Sequence, residues 1–257
     1  MRLIVHQEAE STQDLAREWA VRGEPEGLAI MALNQTKGRG RSGHSWVSPK
    51  GKNLAVSVIL RPVIAPEMAP LLGLMASIGV AETVETIIGR PAQLKWPNDV
   101  LVDGRKIAGI ISEASLNSGK IFFMIVGIGL NVNTEAADFP VDFRNYVTSL
   151  LLSSGRPRDL DDAARDLLKN IELLYERVKR EGCSYIPELW ATRWAHRGAQ
   201  LIRRALPCTA EGIDTDGALL IRAHDGELLR VTSEESELTW PDLRKLHKDS
   251  GPASTAP

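Results

Sequence analysis

The chain has 257 residues and a formal charge of -2 from 31 basic and 33 acidic side chains, with 43% hydrophobic and 25% charged content. This composition excludes disordered and fibrous classes, and the length allows one large domain or one large and one small. The charge balance argues against a general polyanion binder, and two cysteines without a CxxC or a nearby His pair argue against a disulfide framework and a zinc site.

The opening MRLIVHQEAEST has neither an apolar h-region nor a cleavage site, so no signal peptide is expected. Residues 2–7 read as a strand. STQDLAREWAVRG reads as a helix, with Ser11 or Thr12 at the N-cap, Asp14 in the first turn, Leu15 and Trp19 on one face, and Gly23 as the stop. LAIMAL (28–33) and LAVSVIL (54–60) are apolar strands on either side of a polar, Gly-rich loop from Asn34 to Asn53. Residues 67–88 form a buried helix. Its most apolar stretch, 68–81, is shorter than the roughly 20 residues a bilayer requires, so a soluble, cytoplasmic protein is expected, with no membrane partner.

AQLKWPNDVLV gives a strand, a proline turn and a second strand, and Asp103-Gly104 between two apolar runs signals a hairpin. KIFFMIVGIGLNVN (120–133) is a further strand. Residues 159–181 place apolar side chains at helical spacing, and 185–195, with Trp190 and Trp194, suggest a last helix. After Gly198 come short strands with Asp216-Gly217 and Asp225-Gly226 turns, a small all-β module. The expected division is 1–197, 198–242 and a disordered tail, 243–257. There are no internal repeats.

The densest chemistry lies in Gln35–Trp46. Gly38, Gly40 and Gly43 match GxGxxG, but SWVSPKGKN cannot open a helix and 61–65 holds no acid, so the dinucleotide fingerprint fails, as does the P-loop pattern. The segment still suits an anion: glycine N–H groups can approach closely, Arg39 and Arg41 carry forked donors, and Trp46 offers a flat face. A solvated basic loop with a core Trp is the bland alternative. In Lys95-Trp96-Pro97-Asn98-Asp99, Pro97 stiffens the backbone and Lys95 stands at a strand end facing a cleft. Asn98 and Asp99 could meet hydroxyls or a metal ion, or only cap the turn. Gly127-Ile128-Gly129-Leu130-Asn131 marks close approach of a ligand or, equally, of another backbone.

The order ST…QTxGRGRxGxxW…KWPND…GRKIAGI…GIGLNVN resembles the biotin protein ligases over almost the whole chain. The resemblance implies an α+β fold: a mixed β-sheet catalytic domain with helices on one side, followed by a C-terminal SH3-like β-barrel. It implies that biotin and MgATP form biotinyl-5′-AMP, and that a lysine of the biotin carboxyl carrier protein then takes the biotin. By motif matching, Ser11, Thr12, Gln13, Gln35, Gly38, Arg39, Gly40, Arg41, Lys95 and Gly109 bind biotin. Arg39, Arg41, His44, Trp46, Lys95, Asn98 and Asn131 serve the nucleotide, and Lys95 and Arg39 are catalytic; no residue is assigned to a metal. Gln13 and His44 depart from the family's frequent Asn and Arg. Ten residues before Ser11-Thr12 leave no room for the helix-turn-helix of repressor members, so DNA binding is not expected. A monomer or homodimer is. The alternatives are a lipoate ligase or transferase of the same architecture, or a non-catalytic module that binds biotin or the carrier.

Overall fold

A computed structural model describes residues 1–233 and 238–241; the expected tail 243–257 lies outside them. Seven strands form the main sheet: β1 (Arg2–His6), β2 (Leu28–Ala32), β3 (Asn53–Leu60), β4 (Gln93–Lys95), β5 (Asp99–Val102), β6 (Arg105–Asn117) and β7 (Lys120–Asn131). Their order is β1-β2-β3-β7-β6-β5-β4. β1 and β2 are parallel and every other pair is antiparallel, so the sheet is mixed. The helices are α1 (Thr12–Val21), α2 (Ala69–Ile88), α3 (Leu150–Ser154), α4 (Leu160–Glu181) and α5 (Ile186–Ala191).

Residue alternation decides what each face of the sheet does. Leu54, Val56, Val58 and Leu60 of β3 join Met124, Val126, Ile128 and Leu130 of β7 in one core, covered by α2 and α4. Their neighbours Ile59, Phe123 and Ile125 point the other way and meet Ala16 and Ala20 of α1. The helices are therefore not confined to one side. α1 has its own apolar stripe, with Leu15 and Trp19 at its edge, and buries it on the opposite face.

α2 is long and apolar enough to cross a membrane when the preceding turn is counted, Pro66–Ile88. The shortness of the apolar run is thus not what argues against a span. The burial does: most of the helix is enclosed by the protein, and at Gly79 a Cβ would stand 2.7 Å from Ile171 Cδ1 of α4. Gly89 ends α2 at φ 70°, the left-handed region that glycine enters at low cost. Asp159 caps α4 by accepting from Asp162 N at 3.0 Å, with Lys179 and Arg180 in the last turn.

The expected last helix is shorter than 185–195. Leu94 N donates to Arg193 O at 2.7 Å and Ala195 N to Leu94 O at 2.9 Å, so the chain around Trp194 lies along β4 and covers the sheet edge. α3, a single turn capped by Ser149, was not expected; five residues are too few to show a period. Beyond it a second antiparallel sheet runs β11-β10-β9-β8-β12, built from β8 (Gln200–Arg203), β9 (Leu206–Ile213), β10 (Leu219–Ala223), β11 (Leu228–Val231) and β12 (Leu238–Thr239). Trp96 Nε1 donates to Gly217 O at 3.0 Å and ties this sheet to the β4–β5 turn.

Candidate functional site

On the α1 face of the main sheet lies a cleft of about 460 Å³. Its floor is made where β3, β7 and β6 run side by side. Ala55 opposes Gly129, Ser57 opposes Gly127, and Gly109 and Ile111 oppose the same two glycines from the other side. Small residues on these strands leave the sheet bare, and β-propensity is given up for room. The room is used. A Cβ at Gly129 would stand 2.4 Å from Trp46 Cε2, and one at Gly127 would stand 2.4 Å from Gln13 Oε1.

The wall is the loop 38–46, which folds back on itself. Gly40 N donates to His44 O at 2.7 Å and Trp46 N to Gly38 O at 3.0 Å. The turn lays the Trp46 indole over Gly109 and Gly129, 5.6 Å from Lys106 Nζ, with its own Nε1 buried and unpartnered among the described residues. Leu238 of the second sheet and Trp240, just beyond it, also line the cleft.

One end of the cleft is uncharged and polar. Thr12 Oγ1 lies 2.9 Å from Ser57 Oγ and 3.1 Å from Gln35 Oε1, and Thr12 N donates to Gln35 Oε1 at 2.8 Å. Ser11 stands at the N-cap of α1 with extended backbone, yet its side chain makes no capping bond. The Ser11 hydroxyl is buried and has no partner among the described residues, so it is available to a ligand.

The other end is cationic. The side chain of Lys95, at the end of β4, makes no hydrogen bond or ion pair among the described residues. Burial lowers its pKa, Asp99 opposes this, and Lys106 adds to it. Lys106 Nζ lies 2.5 Å from Asp99 Oδ1. Arg41 reaches Asn98 Oδ1 at 3.4 Å and donates to Ser233 O; burial lowers its pKa while Asp99 raises it. One carboxylate thus faces three cations, which leaves net positive charge among partly buried groups. Arg39 is turned the other way, bonded to Asp14 and, at 2.8 Å, to Glu113 Oε1.

Of the residues expected from sequence, Ser11, Thr12, Gln13, Gln35, Arg39, Gly40, Arg41, His44, Trp46, Lys95, Asn98 and Gly109 all line this cleft. Gly38 and Asn131 do not. Gly38 sits behind the loop, where a Cβ would be 2.5 Å from Trp46 O, so it permits the turn rather than facing a ligand. Asn131 is buried at the end of β7; it accepts from Asn53 Nδ2 at 3.2 Å and donates to Thr148 O at 3.0 Å. Its amide joins segments of chain. Sequence reasoning passed over Ser57, Lys106 and Trp240. A lone hydroxyl in LAVSVIL and a lysine within GRKIAGI were the available signals for the first two; nothing marked Trp240. No cluster of three or more His, Cys, Asp or Glu side chains suited to a metal occurs among the described residues.

Residues 5–131 match the biotin/lipoate A/B protein ligase family. The bifunctional ligase/repressor BirA of Bacillus subtilis is 35% identical over 240 residues, 92% of this chain and 74% of that protein. A biotin–[acetyl-CoA-carboxylase] ligase of Paracoccus denitrificans is 31% identical over 212 residues, 80% of this chain and 88% of its own length. Among solved structures, a biotin protein ligase from Aquifex aeolicus in complex with biotin and ATP superposes with a TM-score of 0.76 at 29% identity, covering 93% of this chain and 99% of that one.

Proposed function

Because the chain belongs to the biotin/lipoate A/B protein ligase family, we propose that its cleft carries out the two half-reactions of a biotin protein ligase. In the first, a biotin carboxylate oxygen attacks the α-phosphorus of MgATP, and pyrophosphate leaves. In the second, the amine of an acceptor lysine attacks the acyl carbon of the anhydride, loses a proton, and releases AMP. The acceptor is the biotin carboxyl carrier protein of a carboxylase.

The observation that carries this reading is the division of one cleft into two ends of opposite character. The first half-reaction brings two anions together, and their repulsion is its main obstacle. Lys95 and Arg41 stand together at the cationic end, already partly desolvated, so they need little rearrangement to stabilise charge building on the α-phosphate. Ser11, Thr12 and Gln35 stand at the uncharged end, suited to a ring with both N–H donors and a carbonyl. Trp46 offers the adenine a flat partner above the glycine floor. Holding both substrates in one shaped groove supplies much of the rate through lost translational freedom. Arg39 belongs to the rim, where Asp14 and Glu113 hold it.

The second sheet belongs to the working enzyme. Leu238 and Trp240 line the cleft, and Arg41 and Trp96 are tied to the backbone of Ser233 and Gly217. A division into a catalytic domain of 1–197 and an SH3-like domain of 198–242 agrees with β8 beginning at Gln200. The test is ATP–pyrophosphate exchange with biotin and with lipoate, followed by transfer to a carrier domain. Biotin-dependent exchange is expected, and lipoate-dependent exchange alone would overturn the reading.

A further inference from the structure

One transverse row of the main sheet crosses the cleft floor. Its members are ladder partners in turn: Lys95 opposes Asp99, Asp99 opposes Gly109, Gly109 opposes Gly129, and Gly129 opposes Ala55. The row carries charge at one end and nearly bare backbone at the other. Two side chains from outside the row fill the bare part. The Trp46 indole lies against Gly129, and Lys106 comes over Gly109, where a Cβ would stand 3.2 Å from Lys106 Cε, 3.3 Å from its Nζ and 3.1 Å from Trp46 Cζ3. Strict alternation would put position 106 on the core face with Ala108 and Ile110. A bulge prevents this. The ladder with β5 steps from Val100–Ala108 to Leu101–Lys106, so Ile107 is an extra residue in β6, and Ile107 and Ala108 both enter the core. Bulges re-aim side chains in this way, and Lys106 is turned into the cleft.

The ammonium is fixed there. Its Nζ lies 2.5 Å from Asp99 Oδ1. The Lys106 backbone is tied as well: its N–H donates to Tyr146 O and its carbonyl accepts from Thr148 N, both at 2.8 Å. The indole has no such tether. Its Nε1 has no partner among the described residues, so contacts alone hold the ring. Lys106 Nζ stands 5.6 Å from the ring centroid, within the range where an ammonium and an indole attract. We propose that Lys106 is a positioning residue for Trp46: aimed by the bulge and pinned by Asp99, its ammonium keeps the indole seated over the glycine floor, so that the partner for adenine is set before ATP arrives. The proposal rests on the reading of the cleft as a ligase site with the nucleotide on Trp46.

Lys106→Met tests this, because it keeps an unbranched stem and removes the charge. In pyrophosphate exchange the KM for ATP should rise about 3- to 30-fold, as loss of one partly desolvated cation–π contact would produce. The kcat at saturating ATP should stay within about twofold of wild type. The calorimetric Kd for biotin should be unchanged, which also shows that the cleft is folded. Lys106→Gln, neutral but still able to donate to Asp99, should raise the KM for ATP in the same way. Lys106→Arg restores a cation and should bring it back to within about threefold of wild type. Trp46→Leu should raise the KM by itself, and adding Lys106→Met to it should raise it little further. A wild-type KM for ATP in either neutral variant that binds biotin normally overturns the proposal. So does a fall in kcat that persists in the Trp46→Leu background, which would make Lys106 a contact of the triphosphate itself. Wild-type protein without biotin-dependent exchange would instead refute the ligase reading, and this inference with it.

Discussion

Adding one methyl group at Gly129 separates the nucleotide end of the cleft from the biotin end. In Gly129→Ala the new Cβ would lie 2.4, 2.7 and 2.7 Å from Cε2, Cζ2 and Nε1 of Trp46. Ordinary carbon contacts begin near 3.5 Å, so the indole must withdraw by about 1 Å. The strand cannot yield instead, because β7 is hydrogen-bonded to β3 on one side and β6 on the other. Overpacking of this kind costs about 1–3 kcal/mol. Here the loop absorbs it, so the penalty falls on the placement of Trp46 rather than on the fold. If it is expressed fully in nucleotide binding, the KM for ATP rises about 5- to 150-fold. Biotin affinity should change little, because its polar contacts gather around Ser57 and Gly127. Pyrophosphate exchange at varied ATP and calorimetry with biotin read the two quantities separately. An unchanged KM for ATP, or an equal loss of biotin affinity, would refute the assignment of Trp46 and the glycine floor to the nucleotide.

Lys95→Ala should lower adenylation by about 10²–10³ while thermal unfolding stays near wild type, since Lys95 makes no ion pair among the described residues that its removal would break. Because burial lowers the Lys95 pKa, adenylation by the wild type should fall on the alkaline side earlier than for an ordinary lysine, and Lys95→Arg should move that limb upward; superimposable pH profiles would count against it. Arg41→Gly should release biotinyl-AMP more readily than Arg39→Gly, because Arg41 stands beside Asn98 and Asp99 whereas Arg39 is held by Asp14 and Glu113. Unrelated proteins biotinylated in trans, identified by mass spectrometry, measure the difference. His196 is buried against Trp240, and burial pushes its pKa down to about 4, with Lys95 adding to the effect. The unfolded chain takes up a proton near pH 6.5 that the native state refuses, so stability should fall as pH drops from about 6.5 to about 4. His196→Phe should flatten that part of the melting-temperature profile.

The loop and the KWPND turn were legible because their residue types are costly unless a ligand repays them: alternating Gly and Arg, and a lysine before a stiffened turn. Their assembly into one cleft is what the family resemblance implied, and both line it. The floor was harder to read. Ser57 and Ile111 matter because of the strands they pair with, and pairing between β3, β7 and β6 is a tertiary fact that no local pattern states. Asn131 shows the converse. It stands in a Gly- and Asn-rich strand end that suggests ligand contact, yet its amide is committed to Asn53 and Thr148. α1 could be read as an amphipathic helix from sequence, but not the side of the sheet it covers. Trp194 shares helical spacing with Trp190, and the exposed edge of β4 outweighs that periodicity by offering backbone partners.

The strands beneath the cleft keep separate accounts on their two faces. In β3, β6 and β7 the odd-numbered positions 55, 57, 109, 111, 127 and 129 look into the cleft, while the even-numbered ones among them fill the core. Substrate range and thermal stability can therefore drift independently along the same few residues. The freedom has a limit on one side. The floor is already Ala, Ser and Gly except at Ile111, so a cleft for bulkier substrates has one side chain left to shrink there. Further room would have to come from the loop wall, which contributes no side chain to the core, or from the second sheet, whose Leu201, Cys208, Ala210, Leu219 and Ile221 are part of it.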